Sequence, residues 1–180
     1  MPRRNRKRSA LKTLLIVGEG EHDQAFVKYL CHLYDCRRTG QKVAVKAGDG
    51  GSPEELLRVM MRRYQHAAYD RRVLLLDEDV PIPQAVTRDA GKRGIDIVVS
   101  KPICLEGMLL ELLGESIPPS ARNCKNVLHP MLSGDPADKQ SYARCIQRSL
   151  LDQSTNSTLV HLRRLISNED VHANPLARDC

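Results

Sequence analysis

The sequence predicts an α/β fold with a mostly parallel four-stranded sheet and helices on both faces. Two observations carry that expectation. Short apolar runs alternate regularly with helical patterns over the first two thirds of the chain, and this alternation is the signature of strand–helix–strand units. The turn before one of these helices also carries a clear helix-start signal, Ser52-Pro53-Glu54-Glu55.

The elements follow in order. "TLLIV" (13–17) reads as a buried strand, and a helix follows over Glu21–Tyr34 with Phe26, Tyr29, Leu30 and Leu33 on one face. "KVAVK" (42–46) is a second strand, followed by the turn "AGDGGSP". There Ser52 is placed to cap a helix, Pro53 takes its first position, and Glu54 and Glu55 favour the positive end of its dipole. That helix is expected to reach Ala68. "RVLLL" (72–76) is a third strand, "PIPQAVTRDAGKRG" a loop with a short helix, and "IDIVV" (95–99) a fourth strand. "SKP" then leads into a helix over 104–113. Right-handed crossovers place the C-terminal ends of all four strands on one edge of the sheet, which is where open α/β sheets bind and react.

After Leu113 the texture changes. "GESIPPSARNCKNVLHPMLSGDPADKQ" reads as loop, followed by helical segments near 137–152 and 157–167 and a frayed tail, "NEDVHANPLARDC". The expected organisation is a basic N-terminal tail (1–11), an α/β core (12–114) and a loop and helical extension packed on that core (115–180).

Composition narrows the function classes. Of 180 residues, 28 are Lys or Arg against 22 Asp or Glu, a net charge of +6. The excess is densest in "PRRNRKR" near the N-terminus, and a basic surface favours polyanions such as nucleic acid. Aromatics make up 3% of the chain, with no Trp and one Phe, which argues against single-strand binding by base stacking. The six cysteines form no C-x-x-C pair, and the expectation is a reducing, cytoplasmic setting. No apolar stretch approaches the roughly 20 residues of a membrane span.

Carboxylates gather at two strand ends. In "LLIVGEGEHD", Gly18 and Gly20 flank Glu19, allow a tight turn, and leave its side chain unobstructed. This makes Gly20 a candidate substrate contact. Asp23 lies one helical turn beyond Glu19. An alternative reading is an ordinary strand-to-helix turn with acids decorating a helix N-terminus. In "VLLLDEDVP", strand geometry puts Asp77 and Asp79 on one side and Glu78 on the other. Paired carboxylates at a water-accessible strand end suit Mg²⁺ or Mn²⁺ with retained waters. Lys101, after the fourth strand, is placed to hold a phosphate, with an ordinary loop lysine as the alternative. His22 is expected to flank the pocket or face solvent, and His129, His161 and His172 show no metal-ligand spacing.

These residues resemble a family. "LLIVGEGEHDQAFVKYL" is similar to the first motif of Toprim domains, a hydrophobic strand followed by Glu-Gly and a helix, and "VLLLDEDVP" is similar to their D-x-D motif. "SKPICLEGMLLELLG" resembles the S-x-P-x-x-x-E-x-x-L-L segment of RloB-like and related small Toprim proteins associated with defence or mobile DNA. The resemblance covers residues 12 to 114 and implies a Toprim (Rossmann-like) core. In it Glu19, Asp77 and Asp79 bind Mg²⁺ or Mn²⁺ and act on a phosphodiester. It implies a general acid/base or metal-ligand role for Glu19, and makes Glu106 the acidic residue of the third motif, with an exposed helical carboxylate as the alternative. It also sets Asp23 at a second acidic position of the nuclease branch, where Glu is commoner. The expected activity is metal-dependent hydrolysis of nucleic acid by a stand-alone domain. The alternative is a catalytically silent nucleic-acid-binding relative. A homodimer or a partner protein is left open, and no membrane partner is expected.

Overall fold

The computed structural model describes residues 12–34 and 40–169. The basic tail (1–11) and all but the first two residues of the C-terminal tail lie outside the described residues. The elements run β1 (Lys12–Gly18), α1 (Glu21–Tyr34), β2 (Gln41–Ala47), α2 (Pro53–Tyr64), β3 (Arg71–Asp77), α3 (Gln84–Lys92), β4 (Ile95–Ser100), α4 (Leu105–Leu113), α5 (Ala121–Leu128), α6 (Arg148–Gln153) and α7 (Ser157–Ile166). Two 3-10 helices, His129–Met131 and Lys139–Arg144, interrupt the C-terminal part.

The sheet is four-stranded and wholly parallel, in the order β2-β1-β3-β4. It is an α/β, Rossmann-like arrangement with helices on both faces. The two central strands, β1 and β3, carry Leu14–Val17 and Val73–Leu76, all buried. Such continuous apolar runs are what a strand covered on both sides requires. Alternation within them divides the core in two. Leu14, Ile16, Val73 and Leu75 pack against α1, α4, α5 and α7. Leu15, Val17, Leu74 and Leu76 meet Leu56, Leu57 and Met60 of α2 and Val86 and Ala90 of α3.

The α2 start forms as expected. Ser52 Oγ accepts from the Glu55 N–H, and the Glu55 carboxylate accepts from the Ser52 N–H, a reciprocal capping box. The helix ends at Tyr64 rather than Ala68. Residues 67–70 are instead held in turns against β1, where Asp70 Oδ2 accepts from both the Thr13 N–H (2.7 Å) and its hydroxyl (2.8 Å).

Past Leu113 the structure differs from expectation in two places. The segment read as loop contains α5, capped by Ser120, and only Cys124 and Leu128 of this helix are buried. Two apolar anchors in eight residues leave little periodic signal. The helix expected over 137–152 is a 3-10 helix and the short α6, separated by Cys145–Gln147. The tight turn delivers Tyr142 into the core beside Phe26 and Tyr29, with ring centroids 5.5 and 6.1 Å away. The Tyr142 hydroxyl donates to Pro136 O at 2.8 Å, which removes the cost of burying it unpaired. α7 forms where expected and is stitched to the sheet: Gln41 Nε2 donates to Leu165 O (2.8 Å), and Thr158 Oγ1 to Val99 O (2.7 Å). Among the described residues no helix is long and apolar enough to cross a membrane.

Candidate functional site

In the order β2-β1-β3-β4, the chain moves outward from β1 to β2 and then crosses back over β1 to reach β3. Between β1 and β3 the direction of winding reverses, and a crevice opens beyond their C-terminal ends, where such sheets bind ligands. Glu19 and Gly20 follow β1, and Asp77 is the last residue of β3. All three line a cavity of about 360 Å³, together with His22, Asp23, Gly50, Glu106 and Lys125.

Each acid is fixed by the backbone. Glu19 Oε1 accepts from the Asp77 N–H at 2.9 Å, tying one strand end to the other. Asp77 Oδ1 accepts from the Leu105 N–H at 3.0 Å, at the first residue of α4. Asp23 Oδ2 accepts from the Gly20 N–H at 3.0 Å, so Asp23 also caps the start of α1. The two glycines act differently from each other. A Cβ on Gly18 would lie 2.3 Å from the Asp23 Cβ, whereas one on Gly20 would meet nothing within 4 Å. Neither has a positive φ. Gly18 is therefore required by the packing of Asp23, and Gly20 leaves open space at the cavity wall.

Crowding of acids away from water shifts their titration upward. Burial, then the charges of Asp23 and Glu19, push Asp77 up to about 8, against a smaller lowering by the Leu105 N–H. Burial pushes Asp23 up to about 7, with Glu19 and Glu106 adding to it and the Gly20 N–H and Lys125 opposing it. Glu19 is raised chiefly by burial, and further by the charge of Asp79, while the Asp77 N–H and Lys125 pull it down.

Glu106 is not an exposed helical carboxylate. It is 3% exposed, in the first turn of α4, and its Oε1 lies 3.2 Å from His22 Nδ1 and 3.3 Å from His129 Nε2. The two imidazole rings meet edge to face, with centroids 5.0 Å apart. These three ligand atoms all lie within 4.8 Å of one another, and the group could hold a metal ion. His129, which shows no metal-ligand spacing in the sequence, is thus part of such a group. Its partners stand on α1 and α4, 107 and 23 residues away, where no local spacing can reveal them. Glu19, Asp77 and Asp79 form no such close trio among the described residues.

The remaining expected residues lie outside the cavity lining. Asp79 is exposed in the turn after β3, and its N–H donates to Ile103 O at 2.8 Å. The strand ends at Asp77, so the alternation expected to set Asp77 and Asp79 on one side does not extend to Glu78 and Asp79, which lie in the turn. Glu78 is engaged with the loop after β4. It accepts from the Ile103 N–H at 3.0 Å and pairs with Lys101 Nζ at 3.3 Å, and these contacts lower its titration. The clamp holds Ile103 at φ +66°, a conformation that β-branched residues rarely adopt. Lys101 is therefore engaged with Glu78, and the lysine that lines the cavity is Lys125 of α5. Sequence reasoning missed Lys125 because its helix was read as loop.

Comparison of the chain with protein-family models, with characterised proteins and with solved structures finds no match.

Proposed function

We propose that this chain is a Toprim-like hydrolase that cleaves phosphodiester bonds in nucleic acid with the help of Mg²⁺ or Mn²⁺. The observation that carries the reading is the joining of Glu19 and Asp77, one from each side of the winding reversal, in one cavity with Asp23. Their upward-shifted titration supports it, because clustered carboxylates short of positive charge are a site that a divalent cation stabilises.

The donor set fits such an ion. It offers oxygen only, and Mg²⁺ keeps several waters while taking one or two carboxylates directly, so the three acids need not converge tightly. Glu19 and Asp77 would hold the ion, with Asp23 beside them in the same cavity. Bound there, the ion supplies charge for the phosphate oxygens and acidity for a water.

The chain's own residues do the rest. Lys125 faces the acids from α5 and is placed to take a non-bridging phosphate oxygen. Glu19 keeps one oxygen on the Asp77 N–H and has the other either for the ion or, with the ion on Asp77 alone, to accept a proton from water. The open wall at Gly20 leaves room for the sugar–phosphate backbone. The net charge of +6 supports sequence-independent attraction to phosphates.

The test is incubation of purified protein with supercoiled DNA, linear DNA and RNA in Mg²⁺, Mn²⁺ or EDTA. Cleavage by the wild type with a divalent ion, lost in Asp77→Ala, is the expected result. Cleavage in EDTA, or cleavage unchanged in Asp77→Ala, overturns the reading. Binding without cleavage under every condition would favour the catalytically silent relative instead.

A further inference from the structure

We propose that His22, Glu106 and His129 form a separate metal centre for a divalent transition ion of the Zn²⁺ type, with one coordination position open toward the cavity. It goes beyond the hydrolase reading, and its ligands are distinct from Glu19, Asp23 and Asp77.

The geometry comes first. Donors bound about 2.0–2.1 Å from a tetrahedral ion stand about 3.3 Å from each other. His22 Nδ1 and His129 Nε2 lie 3.2 and 3.3 Å from Glu106 Oε1, so two of the three donor pairs already have that spacing, and all three atoms lie within 4.8 Å of one another. The chemistry of the set comes next. Two imidazoles and one carboxylate suit Zn²⁺ or Fe²⁺, whereas Mg²⁺ and Mn²⁺ favour oxygen ligands. The acids of the neighbouring cleft and this N,N,O set therefore have opposite ion preferences.

The support is rigid and the access is one-sided. The Glu106 side chain is 4% exposed, while those of His22 and His129 are 34% and 29% exposed. α4 is pressed onto the preceding loop, where a Cβ on Gly107 would lie 2.4 Å from Pro102 O, so Glu106 has little freedom to move. His22 and Glu106 both line the cavity. Three protein ligands with a fourth position open is the arrangement of reactive rather than purely structural zinc sites.

Without an ion, the same atoms are within hydrogen-bond distance, with N–H groups at His22 Nδ1 and His129 Nε2 able to donate to the shared oxygen. Taking up an ion requires only that each ring carry its proton on the other nitrogen. Two histidines serving solely to satisfy a buried carboxylate is the competing account, and it predicts no ion.

The experiment uses the full chain, stripped with chelator and titrated with Co²⁺, whose visible d–d absorption reports ligand type and geometry, followed by displacement with Zn²⁺. Wild type is expected to bind one Co²⁺ with intense tetrahedral-type bands, and to gain melting temperature with Zn²⁺. His129→Ala and His22→Ala, each checked for native circular dichroism, should weaken binding by about tenfold or more. Asp77→Asn should leave the bands in place. Absence of bands in folded wild type overturns the proposal, as do bands indifferent to both histidine substitutions. Equal loss in Asp77→Asn also overturns it, by assigning the ion to the acidic cleft. The bands are read without substrate, so a failed cleavage assay and a failed titration are separate results.

Discussion

The backbone N–H of Asp77 donates to Glu19 Oε1 across the gap between the two central strands, at 2.9 Å. Two residues 58 positions apart are thereby locked at the point where the winding of the sheet reverses. The bond aims one carboxylate with the backbone of the other acid, so neither residue can shift without disturbing both.

Asp77 and Asp23 should make stability depend on pH and on metal. Their ordinary value is 3.8, and in the fold they rise to about 8 and about 7. Between about pH 4 and those values the folded chain holds more protons than the unfolded one, so their contribution falls as pH rises. In chelator, Asp77→Asn should melt above wild type at pH 8, on the order of 5 °C, and the gap should close toward pH 4. Mg²⁺ should raise the wild type at pH 8 and leave the variant nearly unmoved. Thermal melts across pH, with and without Mg²⁺, measure this, and a gap that does not change with pH would contradict it.

Gly18 and Gly20 should separate cleanly. Alanine at 18 must displace Asp23, whose Cβ would lie at 2.3 Å, and overpacking of this kind costs about 1–3 kcal/mol. Alanine at 20 meets nothing within 4 Å and should cost less than about 1 kcal/mol as a helix-cap change. Urea denaturation of the two variants tests the ranking, and equal losses would deny Asp23 its packing role.

Lys125 should outweigh Lys101 in binding nucleic acid. Lys101 is paired with Glu78 at an exposed site, where truncation costs at most about 1 kcal/mol of stability. Lys125→Ala should weaken binding to duplex DNA and lower the salt-dependence slope by about one unit, while Lys101→Ala leaves the slope near wild type. Fluorescence anisotropy in EDTA over a salt series decides between them, and the reverse order would return the phosphate contact to Lys101.

Much of this was legible in the sequence because it is local. Buried strands announce themselves as "LLIV" and "VLLL", and the α2 cap as Ser52-Pro53-Glu54-Glu55. What escaped is what depends on contacts between distant segments. α5 buries only two side chains, so its periodicity is faint, and with it went Lys125. His129 becomes meaningful only when α4 and α5 pack together and bring it to Glu106. The 3-10 helix carrying Tyr142 follows from a pocket between Phe26 and Tyr29, which no nearby residue encodes.

The region beyond α4 is usually where one would trim a protein of this shape to a minimal cassette. Here the cut would be costly. A fragment ending at Leu113 would keep every strand and Glu19, Asp23, Asp77, Asp79 and Glu106, yet lose Lys125 and His129. It would also strip Cys124, Leu128, Tyr142, Leu159 and Leu162 from the layer that covers Leu14, Ile16 and Phe26. The bared face would be a sticky surface inviting aggregation, so a transplantable version of this site must carry its C-terminal wrapping with it.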